Sequence, residues 1–210
     1  MLQNVPLPRT LADLSVFKAA DLKAAGGGTS WRFDSLVGIL AEISEETPCG
    51  AVSFLSEIVL EAQAENEPVA WVAGTRSVFF PPDLCMRGVD LSSVAVVRAG
   101  GETGSLTAAE WLVRSGAMGL VVVDVEEPWN AADASLGRIQ KLAERSLCGV
   151  VFLTRKRRGD PSLGSRISLR ACITRSGSGP FLIHVHTARD KRFHPGTHQT
   201  RHYHGPAGMH

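Results

Sequence analysis

Short, nearly continuous apolar runs alternate along this chain with stretches of helical period, and that alternation restricts its possible folds more than any other feature. Val37 to Ile43, Val69 to Ala73, Val94 to Val97, Leu120 to Val123 and Val150 to Leu153 are rich in β-branched residues, which predicts strands buried on both faces. Between them, Phe54, Leu55, Ile58 and Ala62 form one helical stripe, Leu106, Ala109, Leu112 and Val113 a second, and Leu136, Ile139 and Ala143 a third. Strand, helix, strand repeated in this way predicts an α/β fold with a mostly parallel central sheet flanked by helices.

The pattern changes at both ends. From Arg166 onward Ile167, Leu169, Ala171 and Ile173 alternate with polar residues, as Phe181, Ile183 and Val185 do later. The turn residues Ser176 to Pro180 lie between the two segments, so an antiparallel C-terminal hairpin at the sheet edge is expected. Residues 10–25 carry Leu11, Leu14, Lys18 and Leu22 at helical spacing and run into Gly26, Gly27 and Gly28, which predicts a leading helix on a hinge. The expected organisation is an N-terminal helix and hinge over 1–34, a core over 35–190, and an irregular His-rich tail over 191–210.

Lys and Arg total 22 against 21 Asp and Glu, a net charge of +1, so no overall field draws the protein to nucleic acid or a membrane surface. The four cysteines form no C-x-x-C pair and read as buried thiols in a reducing compartment. No basic segment followed by an apolar stretch opens the sequence, and no apolar run approaches the roughly 20 residues that span a bilayer. A cytoplasmic protein without a membrane partner is expected.

In such a sheet the first strand-to-helix loop is the usual anion site, because backbone N–H groups and a helix N-terminus converge there. Here that loop is Ser44 to Ser53. Laid against G-x-x-x-x-G-K-[ST], Gly50 fills the second glycine, while Glu45, Ala51 and Val52 stand where the first glycine, the lysine and the hydroxyl residue belong. Without the lysine the β and γ phosphates lose their cation, and without the hydroxyl Mg²⁺ loses a ligand. Glu45 and Glu46 add negative charge, and a like-charge contact near 4 Å at an effective dielectric of ~20 costs roughly 4 kcal/mol. Asp124, at the end of the run Gly119 to Val123, stands where a metal-binding aspartate sits in intact sites. No bound cofactor or metal is expected.

Leu40 to Ala64, Val69 to Thr75, Gly88 to Arg98 and above all Thr103 to Asp124, with Ala108-Ala109-Glu110-Trp111-Leu112-Val113-Arg114-Ser115-Gly116-Ala117, resemble the core of RecA recombinases. The resemblance covers roughly residues 35–190. Within that group the chain is most similar to ImuA-type proteins, RecA-like members of the damage-induced (SOS) mutagenesis cassette, with SulA-like cell-division inhibitors as the rival reading. The resemblance implies a RecA-like fold with a degenerate phosphate loop and no catalysis. The implied role is that of an accessory protein in bacterial translesion mutagenesis that binds RecA and a Y-family polymerase-like partner of the ImuB type and restrains recombination. It also places the catalytic glutamate's position at Thr75 and the γ-phosphate-sensing glutamine's near Arg155, so both chemistries are lost. The two DNA-gripping loops correspond to Pro128 to Ala134 and Lys156 to Ser165.

Other readings use other residues. Arg155, Lys156, Arg157 and Arg158, with Arg189, Lys191 and Arg192, are candidates for contact with DNA or a partner. A noncanonical ATPase would need Arg76, Arg98 or Lys141 to replace the missing lysine. A separate reading has Glu126 and Glu127 support a noncanonical ion site with Asp124. His184, His186, His194, His198, His202 and His204 match no zinc-finger or ribbon spacing. Trp31, Phe33, Phe79 and Phe80 are candidate partner anchors, since large aromatics dominate interface energetics.

Overall fold

The computed structural model describes residues 31–46, 50–75, 77, 79–125, 129, 133–177, 181–192 and 196–203. The expected helix over 10–25 and its glycine hinge lie outside the described residues. The chain runs α1 (Phe33–Leu36), β1 (Leu40–Glu45), α2 (Ala51–Ala64), β2 (Val69–Ala73), α3 (Pro81–Cys85), a 3-10 turn (Leu91–Ser93), β3 (Val94–Arg98), α4 (Gly101–Arg114), β4 (Leu120–Asp124), α5 (Asp133–Ser146), β5 (Gly149–Thr154), β6 (Leu169–Ser176), β7 (Phe181–Asp190) and β8 (His198–Tyr203). The strands form one eight-stranded sheet in the order β3-β2-β4-β5-β1-β6-β7-β8. Pairing is parallel from β3 through to β6 and antiparallel between β6 and β7 and between β7 and β8.

That order dictates the layers. From β1 the chain moves through α2 to β2 and on to β3, then reverses through α4 and α5 to β4 and β5. Right-handed crossovers in opposite directions place the connecting helices on opposite faces. Accordingly Ala41, Ile43, Trp71, Val122, Val151 and Leu153 pack with Phe54, Leu55, Ile58 and Ala62 of α2. On the other face Leu40, Ala70, Val72, Val121, Val123, Val150 and Phe152 pack with Ala109 and Val113 of α4 and Leu136, Ile139 and Ala143 of α5. Each fully buried Val, Leu, Ile or Phe among them contributes about 1.5–3 kcal/mol, which explains why the central strands carry apolar residues on both faces.

Three expectations are corrected. Residues 198–203, read as irregular tail, form β8 and pair with β7 in register from Phe181↔Tyr203 to His186↔His198, so the β6–β7 hairpin is not the sheet edge. Trp31 and Phe33, assigned to a hinge segment, belong to the core. Trp31 Nε1 donates to Thr187 Oγ1 of β7 at 3.1 Å. Of the cysteines, Cys148 and Cys172 are buried but Cys85 is exposed, and Cys49 lies outside the described residues. No described helix is long and apolar enough to cross a membrane.

Candidate functional site

The carboxyl ends of β1, β5 and β4 carry Glu45, Thr154 and Asp124, the edge of a parallel sheet where ligands ordinarily bind. Helix α2 begins at Ala51 with Gly50 as its N-cap, which has no side chain to satisfy the orphan amides of the first turn. Glu45 does so instead. Its Oε2 accepts from the backbone N–H of Gly50 at 3.1 Å and of Ala51 at 3.0 Å, and its Oε1 pairs with the Arg155 guanidinium. Glu45 is 2% exposed. A negative group at a helix N-terminus is stabilising, and here the chain supplies that group itself.

Gly50 has a reason to be glycine apart from any phosphate. Its φ of 172° is extended backbone open to any residue, but a Cβ there would lie 2.7 Å from Cδ1 of Ile183 on β7. Ala51 is buried and Val52 packs partly buried against the core, so neither presents a cation or hydroxyl. Asp124, 4% exposed, accepts from Ser77 Oγ at 2.6 Å. Ser77 Oγ in turn accepts from Phe79 N–H at 3.0 Å. This aspartate thereby fixes the chain that leaves β2. Because β5 lies between β4 and β1, Asp124 is about two strand spacings, ~9–10 Å, from β1.

The proposed substitute cations are not gathered at α2. Arg98 is exposed at the end of the edge strand β3 and Lys141 is exposed on α5, while Arg76, Glu126 and Glu127 lie outside the described residues. Thr75, an exposed residue just after β2, carries no carboxylate. Arg155, near which the γ-phosphate sensor was placed, is the cation that reaches Glu45.

The basic run after β5 is largely paired. Lys156 Nζ lies 3.5 Å from Glu42 Oε1, and Arg157 Nε lies 2.9 Å from Glu46 Oε1. Glu42 is fully buried, and three hydrogen bonds satisfy it. Oε1 accepts from Thr154 Oγ1 at 3.0 Å, while Oε2 accepts from Ser162 Oγ at 2.7 Å and from Leu163 N–H at 2.9 Å. Arg170, 4% exposed, approaches Glu42 at 3.9 Å and donates to Ser44 Oγ and to the carbonyls of Arg157 and Asp160. Three of the four adjacent cations are thus committed to carboxylates on or just beyond β1, and the loop over 155–165 is tied to the sheet by a buried polar network. Arg158 is exposed. Farther on, Arg189 and Lys191 donate to the carbonyls of Gly164 and Ser165.

Trp31 and Phe33 are 1% and 2% exposed, which removes them as partner anchors: the first meets Phe54 edge-on at 6.0 Å. Phe79 packs on Trp71 at 4.9 Å. Phe80 remains, 56% exposed, and Trp111, which the sequence reading passed over, is 67% exposed on α4. The signal was present, because Trp111 lies off the stripe of Leu106, Ala109 and Val113.

Beyond the helices, β7 and β8 present histidines. His184 contacts Ser176 Oγ at 2.7 Å and Thr200 Oγ1 at 3.2 Å, and His186 Nδ1 lies 2.9 Å from His198 Nε2. Among the described residues no group of three or more His, Cys, Asp or Glu is arranged to hold a metal. His194 and His204 lie outside those residues. No protein-family model matches the chain, and no curated protein is significantly similar to it.

Proposed function

We propose that this chain is a RecA-like accessory protein of the ImuA type that has exchanged nucleotide chemistry for protein recognition in damage-induced mutagenesis. The observation that carries the reading is Glu45 on the first amides of α2 with Arg155 beside it. A phosphate entering this loop would have to displace a buried carboxylate that already has two amide donors and a cation. The strand order, with β5 between the strand bearing the loop and the strand bearing Asp124, supports a RecA-type core. The absence of a carboxylate at Thr75 supports the same reading, since water would lack its activating base there.

The partners are RecA and a Y-family polymerase-like protein, and the exposed aromatics Trp111 and Phe80 are the anchors best placed to meet them. DNA contact is disfavoured, because three of the four clustered cations are already paired. The test has two parts. Calorimetric titration with ATP and Mg²⁺ is expected to give no binding at millimolar nucleotide, and pull-down with purified RecA is expected to retain it. ATP turnover would overturn the first half of the proposal, and failure to retain RecA at micromolar concentration would overturn the second.

A further inference from the structure

The β7–β8 register sets His186 and His198 directly opposite one another. Their side chains leave the same face of the sheet, the face that Cys172 and His184 also share by alternation. The rings meet at 4.3 Å between centroids with 39° between their planes, and Nδ1 of His186 is 2.9 Å from Nε2 of His198. Two imidazole nitrogens bound to one tetrahedral ion at about 2.0–2.1 Å stand roughly 3.3 Å apart. The nitrogen separation therefore lies within a few tenths of an ångström of a ligand pair's, and the rings, now 4.3 Å apart between centroids, turn outward to aim both lone pairs at one ion.

We propose that His186 and His198 form a surface site for a late first-row divalent cation of the Zn²⁺ or Cu²⁺ class, with its remaining positions open to water or to a side chain of another molecule. Imidazole suits these ions, and the Irving–Williams order places Cu²⁺ highest among them. Binding requires both facing nitrogens as lone-pair donors. In the neutral pair one of them carries the bridging proton, which moves to the outer nitrogen of the same ring as the ion enters, with no net proton lost. His186 is favoured in its neutral form, its pKa lowered by burial, then by the Arg158 charge and by His198.

Among the described residues, the groups facing the pair are Arg158 from the loop after β5, His184 on β7 and Cys172 on β6. Arg158 is the one cation among them and opposes the ion. Cys172 lies opposite His186 across β6, but its Sγ contacts Ser44 Oγ at 3.3 Å instead, so the site rests on two imidazoles. Because β8 pairs with β7 alone, a shared ion would fasten the last described strand to the sheet.

The chain contains seven histidines, so the experiment must separate this pair from the rest. Zn²⁺ is titrated calorimetrically into the full chain and into His186→Ala, His198→Ala and His202→Ala. Loss of either pair member is expected to weaken the tightest event by at least about tenfold, since even outer-shell losses cost that much, while His202→Ala leaves it unchanged. On the unsubstituted chain, substoichiometric Cu²⁺ is expected to broaden the ring-proton signals of His186 and His198 first. Equal affinity in all variants, or broadening spread evenly over the histidines, would overturn the site. The Cu²⁺ experiment decides even if a variant fails to fold.

Discussion

A Cβ placed on Gly50 would lie 2.7 Å from Cδ1 of Ile183, closer than real Cβ contacts come. The glycine that looks like a remnant of a phosphate loop is fixed by the side chain of a strand at the far side of β6. Gly50→Ala is expected to destabilise the protein by about 1–3 kcal/mol through overpacking. Adding Ile183→Val is expected to recover part of that loss, a non-additivity read from urea unfolding of the double-mutant cycle. Simple additivity would show that Gly50 matters for another reason.

Glu45→Ala leaves the first turn of α2 without its acceptor and Arg155 without its partner. The expected cost is about 0.5–2 kcal/mol, the range for losing a helix N-terminal acceptor, with Glu45→Gln losing less because an amide oxygen still accepts from Gly50 and Ala51. Equilibrium denaturation of both variants checks the order, and an equal loss in the two would assign the effect to charge alone.

Glu42→Ala is expected to be the more damaging change, at about 3–5 kcal/mol, because it leaves Arg170 and Lys156 facing a buried site without a counter-charge. The loop over 155–165 should then become a site of tryptic cleavage, since Lys156, Ser162 and Leu163 all lose their anchor on Glu42. Limited proteolysis with mapping of the first cut tests it. First cuts elsewhere would show that the loop is held by other means.

Burial, followed by the Glu67 charge, pushes the Cys148 thiol up to about 12 from an ordinary value of 9.0. The folded state therefore keeps its proton where the unfolded chain gives it up. Its contribution is fully present below pH 9 and is lost as pH rises toward 12, by up to about 1.36 kcal/mol per pH unit. Burial raises Tyr203 as well, which steepens the alkaline side further. Cys148→Ala should flatten the pH dependence of unfolding between pH 9 and 11, and Cys85 should react with a thiol reagent long before Cys148 does.

Trp111→Ala is expected to leave the melting temperature nearly unchanged, because the residue is 67% exposed, while reducing retention of the two proposed partners, RecA and a polymerase-like protein. Retention of both at the original level would remove Trp111 as an anchor.

The parts of the fold that could be read from sequence are those where burial writes apolar residues on both faces. β2 spans Val69–Ala73 as expected for this reason. β1 starts at Leu40, three residues later than its apolar run, because Gly38 adopts a φ of 73° and turns the chain first. β8 was illegible: His198 to Tyr203 buries one side chain and joins the sheet through its backbone. At the candidate site the charge of Glu45 was legible and its direction was not. A carboxylate read as repelling an outside anion turns inward to become the anion. The pairing of Arg155, Lys156 and Arg157 with Glu45, Glu42 and Glu46 depends on β5 lying beside β1, where Thr154 stands opposite Ser44, a neighbour relation between strands more than a hundred residues apart.

That same adjacency has a consequence for synthesis. β1 is the first of the described strands to be synthesised, yet its two neighbours are β5 and β6, with Leu40 paired to Val150 and Ala41 to Leu169. Helix α2 forms locally, but the strand before it, with Glu42 and Glu45 on it, lacks its sheet neighbours until β5 and β6 have been made. Until then the nascent protein carries two acidic residues on an unpaired apolar strand, and such long-range pairing slows folding. The middle of the sheet cannot close before β5 has been made.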